Sequence, residues 1–204
     1  MKKDINSNRH IFLYATILII VVAALLTAAA IWLRPFQDDN KKNEKRINIL
    51  RAAGIPDVDT DNAAELFEQH CTDEFLLDEN GRPDNNGTLP VFVIDRKISV
   101  IPMKGKGLWG PISGYLAIDV QGNIVGANFD HESETPGLGG EITTDKFQSQ
   151  FAGKQIMDNG AMVPIEFDAI TGATKTSDGV KEMIDKTLKT YSPYFEQLAK
   201  TEMK

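Results

Sequence analysis

The sequence predicts an α+β protein, with a mostly antiparallel sheet and flanking helices, preceded by one transmembrane helix. Three observations carry this. Residues 11–33 read IFLYATILIIVVAALLTAAAIWL without a charge. Short β-branched and aromatic runs in the middle of the chain are separated by Asn-Gly and Gly-Asn turns. A long segment near the C-terminus repeats apolar residues at helical spacing. At 204 residues, 42% hydrophobic and 25% charged, the chain has enough apolar material for one packed domain beyond the span.

The apolar run covers about 35 Å as a helix at about 1.5 Å per residue, enough to cross a hydrocarbon core. Trp32 lies at its far end, where an amphipathic ring suits the interface. The run is longer than the apolar part of a signal peptide, and RPFQ follows it, so it reads as a retained anchor. Lys2, Lys3 and Arg9 precede it against Asp4 alone, while Arg34, Lys41 and Lys42 are mixed with Asp38 and Asp39 after it. That bias predicts a cytoplasmic N-terminus (1–10), a span (11–33) and an extracytoplasmic body. The net charge of −7 argues against a nucleic-acid partner, which would need a clustered basic face. The single cysteine, Cys71, excludes an internal disulfide and a cysteine-based metal centre.

Residues 34–56 read as a juxtamembrane helix and linker. The helix lies over 38–53, with Ile47, Leu50 and Ala53 at three-residue spacing and Gly54-Ile55-Pro56 as its stop. The extracytoplasmic domain then occupies 57–204. A helix is expected over 60–70, capped by Thr60 or Asp61, with Ala64, Leu66 and Phe67 facing inward. Strands are expected over 89–95 and through LWGPISGYLAID, pairing as a hairpin with IVGANFDH across Gln121-Gly122-Asn123. A short amphipathic helix is expected over 143–151, a turn at Asn159-Gly160 and a strand over 163–170. The final helix starts at Thr176 or Ser177 and runs to Glu196, with Val180, Ile184 and Leu188 on its apolar face.

Three stretches could carry chemistry. DAITGATKTSDGV (168–180) places Thr171, Thr174, Thr176 and Ser177 around Gly172 and Ala173, between a strand and a helix start. Unpaired N–H groups, hydroxyls and little side-chain bulk are the parts of a phosphate site. Equally, Thr176 or Ser177 is an N-cap and Gly172 a turn residue. HESETPGLGGEI (131–142) is dense in glycine and suits close approach of backbone to a flat ligand, or is a bare loop. His131, Glu132 and Glu134 are weak material for a metal site, and none is assigned. GKGLWGPISG (105–114) sets Trp109 between glycines, where its ring stacks on a planar cofactor or packs in a core. No Gly-x-Ser-x-Gly elbow appears, and His10, His70 and His131 form no obvious triad.

Thr171-Gly172-Ala173-Thr174, within D-x-x-T-G-A-T-x-T, resembles the flavinylation motif of the FMN-binding domain family. ETPGLGGEI, GLWGPISGYLAID and the single span followed by RPFQDDNKKNEKRINIL extend the likeness. Together they are similar to the C subunits of Na+-translocating NADH:quinone reductases, with the G subunits of Rnf ferredoxin:NAD+ oxidoreductases as a sister group. The resemblance implies a redox-carrying subunit of a bacterial inner-membrane complex, single-pass, with the bulk of the chain extracytoplasmic. It implies covalent FMN, joined through its phosphate to Thr174, with Thr176 as second choice. It implies a flavin transferase for maturation and the other membrane and peripheral subunits as partners. Trp109, Glu134, Thr135, Leu138 and Gly139 would lie near the isoalloxazine ring. Lys154 is the candidate to neutralise the phosphate, on its charge, with Lys175 closer in sequence. The alternatives are the G subunit of an Rnf ferredoxin:NAD+ oxidoreductase, and a tethered extracytoplasmic binding module without redox role.

Overall fold

The computed structural model describes residues 8–158 and 161–202. The chain divides into two units between Lys42 and Asn43. Helix α1 (Asn8–Ala52) begins in the first unit. Its apolar stretch buries none of its surface against protein, and length and composition make it a candidate membrane span. The helices expected separately over 11–33 and 38–53 are one element. Pro35 lies inside it. A proline removes one backbone hydrogen bond, but Lys41, Lys42, Glu44, Lys45 and Arg46 further on are good helix formers.

Residues 43–56, part of the stretch read from the sequence as juxtamembrane helix and linker (34–56), belong to the second unit. Ile49, Leu50 and Ala52 are fully buried. The helix ends where Gly54 takes φ +79° and the Ile55 N–H reaches back to the Leu50 carbonyl, a left-handed glycine stop. Helix α2 (Ala63–His70) follows. Neither expected cap is used. Asp59 Oδ1 instead accepts the N–H groups of Asp61 and Asn62, at 2.9 Å each.

Five strands form an antiparallel meander: β1 (Cys71–Leu77), β2 (Leu89–Ile94), β3 (Ile98–Lys106), β4 (Pro111–Asp119) and β5 (Ile124–His131). The β4–β5 hairpin turns at Gly122, φ +82°, with Asp119 Oδ1 accepting from the N–H groups of Gln121 and Asn123. Alternation decides the two faces. Val91, Ile101, Met103, Leu116 and Phe129 point to one side, where helix α4 (Thr174–Glu202) covers them with Val180, Ile184 and Leu188. Phe92, Val100 and Ala117 point to the other, against Ile49, Ala52 and Ala53 at the end of α1.

After β5 the chain forms a 3-10 turn (Gly139–Thr143), the one-turn helix α3 (Asp145–Gln148), and the short pair β6 (Met157–Asp158) and β7 (Ala161–Met162). Of the helix expected over 143–151 only 145–148 is α-helical, and the Asn159-Gly160 turn lies outside the described residues. Residues 163–170, expected as a strand, form none. Their alternation is met by packing: Ile165 enters the main core, and Phe167 joins Phe147 and Phe151 at centroid distances of 5.6 and 5.0 Å. Gln150 meets the Asp168 backbone from both sides, accepting its N–H and donating to its carbonyl.

Helix α4 crosses the end of β3 on two glycines. A Cβ on Gly179 would overlap the Lys106 carbonyl, and one on Gly105 would stand 2.7 Å from Met183 Cβ. On an open helix Gly→Ala gains about 1 kcal/mol. Gly179→Ala is expected instead to cost about 1–3 kcal/mol through overpacking, seen as a lower thermal midpoint. A raised midpoint would mean that α4 does not press on β3.

Candidate functional site

The loop 107–110, the loop 132–138 and the start of α4 meet at one end of the sheet. Their junction is Glu134, 4% exposed. Its Oε1 accepts the N–H of Trp109 at 2.8 Å and of Gly110 at 3.4 Å. Its Oε2 accepts the hydroxyl of Thr176 at 2.6 Å. A carboxylate this buried is tolerated only when hydrogen bonds replace water. Burial pushes its carboxyl up, but the bonds from Thr176, Trp109 and Gly110, with His131 nearby, outweigh it and hold the carboxyl below the usual range.

The surrounding glycines make room for that carboxylate. A Cβ on Gly139 would collide with Glu134 Oε2 and lie 2.6 Å from Thr176 Oγ1. One on Gly107 would lie 2.5 Å from Glu134 Oε1. The Glu134 N–H donates to His131 Nδ1 at 3.3 Å, so the loop is tied to the end of β5 as well.

Helix α4 starts at Thr174, two residues before the expected cap. Thr176 and Ser177 do not cap it. Thr176, 1% exposed, is held by Glu134. Ser177 Oγ accepts the Ile170 N–H at 3.0 Å and donates to the Ala173 carbonyl at 3.1 Å, clasping the loop ahead of the helix. Gly172 in that loop has φ +82°, and Ala173 is buried. Successive helical residues are about 100° apart, so positions two apart point in nearly opposite directions. Burying Thr176 therefore turns Thr174 outward, and Thr174 is exposed, as are Thr171 and Lys175.

Trp109 (68% exposed) and Leu138 (42% exposed) supply apolar surface at this end, and Thr135 is exposed beside them in sequence. Leu138 Cδ2 lies 3.1 Å from the Cβ position of Gly172, so the loop 132–138 touches the threonine loop. Of the residues singled out from the sequence, Trp109, Glu134, Leu138, Gly139, Gly172, Ala173, Thr174 and Thr176 are brought together by the bonds and contacts above. Lys154 is not among them. Its carbonyl accepts the N–H of Ile124, at the opposite end of β5 from His131, on the order of 20 Å away at about 3.3 Å per residue. Lys146, not singled out from the sequence, lines a cleft of about 510 Å³ together with Glu141, Asp168 and Thr171. Among the described residues no three His, Cys, Asp or Glu side chains converge as metal ligands.

The FMN-binding domain family matches residues 107–189, the segment holding both loops and the start of α4. The C subunit of the Na(+)-translocating NADH-quinone reductase (NqrC) of Neisseria meningitidis serogroup B is 30% identical, covering 88% of each chain. The chain belongs to the NqrC family. The NqrC of Pasteurella multocida is 29% identical over 88% of this chain and 89% of its own. The crystal structure of NqrC from Parabacteroides distasonis superposes with a TM-score of 0.71 at 34% identity, covering 80% of this chain and 96% of that one.

Within this NqrC homologue the Glu134 tie has a pH signature. A carboxyl held below its reference value of 4.5 contributes stability that is fully present above that value. The contribution is lost as pH falls through the lower folded value. Glu134→Gln is expected to cost about 1–3 kcal/mol at pH 7 and to flatten the loss of stability below about pH 4.5. Urea midpoints from pH 7 to 3 test this; parallel curves for the two proteins would contradict it.

Proposed function

We propose that the protein is the electron-relaying C subunit of a Na+-translocating NADH:quinone reductase and carries FMN as a phosphoester on Thr174. The observation that carries this reading is the exposed Thr174 at the first turn of α4, inside the segment that matches the FMN-binding domain family. Among the described residues its hydroxyl makes no hydrogen bond. The competing hydroxyl, Thr176, is buried and engaged with Glu134.

The residues present fit the group. A helix N-terminus favours a phosphate. Gly172 and buried Ala173 leave space beside the hydroxyl, Lys175 and Lys146 supply cations, and Trp109 and Leu138 offer exposed apolar surface to a flat ring. Thr135 and Gly139 flank the same surface. Glu134 holds this frame together by its bonds to Thr176 and the 107–110 loop, and so supports the ring's surroundings through the backbone. When bound, FMN supplies the one-electron chemistry, while the protein fixes its position and surroundings. The net charge of −7 disfavours added negative charge on a bound flavin and so favours a low potential.

A threonine hydroxyl is a weak nucleophile without an adjacent base, and none is bonded to Thr174. Activation is therefore assigned to a flavin transferase acting with FAD and Mg2+. The Thr174 oxygen takes the FMN phosphoryl group, AMP departs, and the threonine proton passes to the transferase. The apolar run of α1 anchors the chain in the bacterial inner membrane, with the N-terminus cytoplasmic and the body extracytoplasmic, where it meets the other subunits of the complex.

The test is peptide mass spectrometry on the full chain produced with a flavin transferase. An FMN-sized mass increase is expected on the peptide holding Thr174. Thr174→Ala is expected to remove covalent flavin, with thermal unfolding unchanged within about 0.5 kcal/mol. Flavin fluorescence persisting on a denaturing gel for Thr174→Ala would overturn the assignment.

A further inference from the structure

The ladder between β2 and β3 stops early. Its last pair is Phe92 with Val100, yet β2 stays paired with β1 back to Leu89, and β3 stays paired with β4 out to Lys106. Continuing the β2–β3 register brings Pro90 opposite Pro102. Neither proline has an N–H, so the strands cannot remain joined there. They part around a slot of about 490 Å³ that both prolines line, within the range of small-molecule sites.

The walls are apolar and the charged groups are of one sign. Phe92, Tyr115 and Tyr191 line the slot. The Tyr191 hydroxyl donates to the Pro90 carbonyl at 3.0 Å, satisfying an acceptor that the broken ladder leaves open. Burial pushes both tyrosine phenols up, that of Tyr115 with help from Glu44 and Glu74, so neither adds negative charge near neutral pH. The charged residues lining the slot are Lys45, Lys104 and Lys186, with no carboxylate among the lining residues. Lys45 is partly offset by Glu74 at 3.4 Å and sits 4.4 Å from the Phe92 ring centroid. Lys104 and Lys186 have no ion-pair partner among the described residues. Three cations line this slot in a chain of net charge −7, a local reversal of its field.

We propose that this slot binds a small organic anion, a flat apolar body bearing a carboxylate. The aromatic and proline walls take the body, and Lys104 and Lys186 take the carboxylate as charge-assisted hydrogen-bond donors. The slot is lined by none of the residues assigned to the flavin site.

Saturation-transfer NMR on the full chain in nanodiscs tests this, with empty nanodiscs subtracted. The probes are 2-naphthoate and the neutral 2-naphthalenemethanol. Saturable binding of 2-naphthoate is expected, about tenfold weaker for the alcohol and about tenfold weaker in the double variant K104Q/K186Q, a loss of roughly one order of magnitude for the charge pairing. Covalent flavin content and thermal midpoint are expected to be unchanged in that variant. Absence of saturable naphthoate binding, or equal binding of the alcohol to the unaltered protein, would overturn the proposal without any variant. Undiminished binding in K104Q/K186Q would overturn it too.

Discussion

One buried carboxylate holds one end of the sheet and the start of α4 together. Glu134 takes hydrogen bonds from the Trp109 and Gly110 backbone on one oxygen and from Thr176 on the other. Removing one of those donors would leave the carboxylate under-bonded in a poorly solvated place, at a cost of about 1–3 kcal/mol. The arrangement fixes three segments that are far apart in sequence. It also requires glycine at 107 and 139, since a side chain at either would enter the volume of the carboxylate. The helical phase does the rest: with Thr176 turned in, Thr174 is turned out.

The sheet serves this end in two ways. It delivers the β3–β4 loop and the loop after β5 to the same end, because the antiparallel meander keeps successive strands adjacent. It also supplies the bed on which α4 lies, close-set at Gly105 and Gly179. Where the bed is imperfect, at the facing prolines of β2 and β3, a basic slot opens away from the glycine loops. The same residue type that weakens a strand thereby creates a cavity.

Much of this was legible in the sequence because it is local. The uncharged run, the Gly122 hairpin, the apolar stripe of α4 and the glycine-flanked motifs are each read within a short window. The failures have physical reasons. Strand β1 carries Asp73 and Glu74 on a sheet edge, and β3 carries Pro102 and Gly105, so neither shows clean alternation. Residues 163–170 alternate properly, but Phe167 found an aromatic cluster rather than a strand. The hydroxyls of Thr176 and Ser177 looked like caps, because nothing local reveals that Glu134, 42 residues away, and Ile170 claim them. Lys154 was chosen for its charge alone, and its place at the far end of β5 depends on a long-range pairing with Ile124.

The most direct test is a crystal structure of the full chain purified with its flavin attached. Electron density is expected for a phosphoester on Thr174 Oγ1 and for a flavin ring against Trp109 and Leu138, with Glu134 still bonded to Thr176 and to the Trp109 and Gly110 N–H groups. Density for the phosphate elsewhere, or Glu134 withdrawn from Thr176 to bind the flavin directly, would contradict this picture of the site.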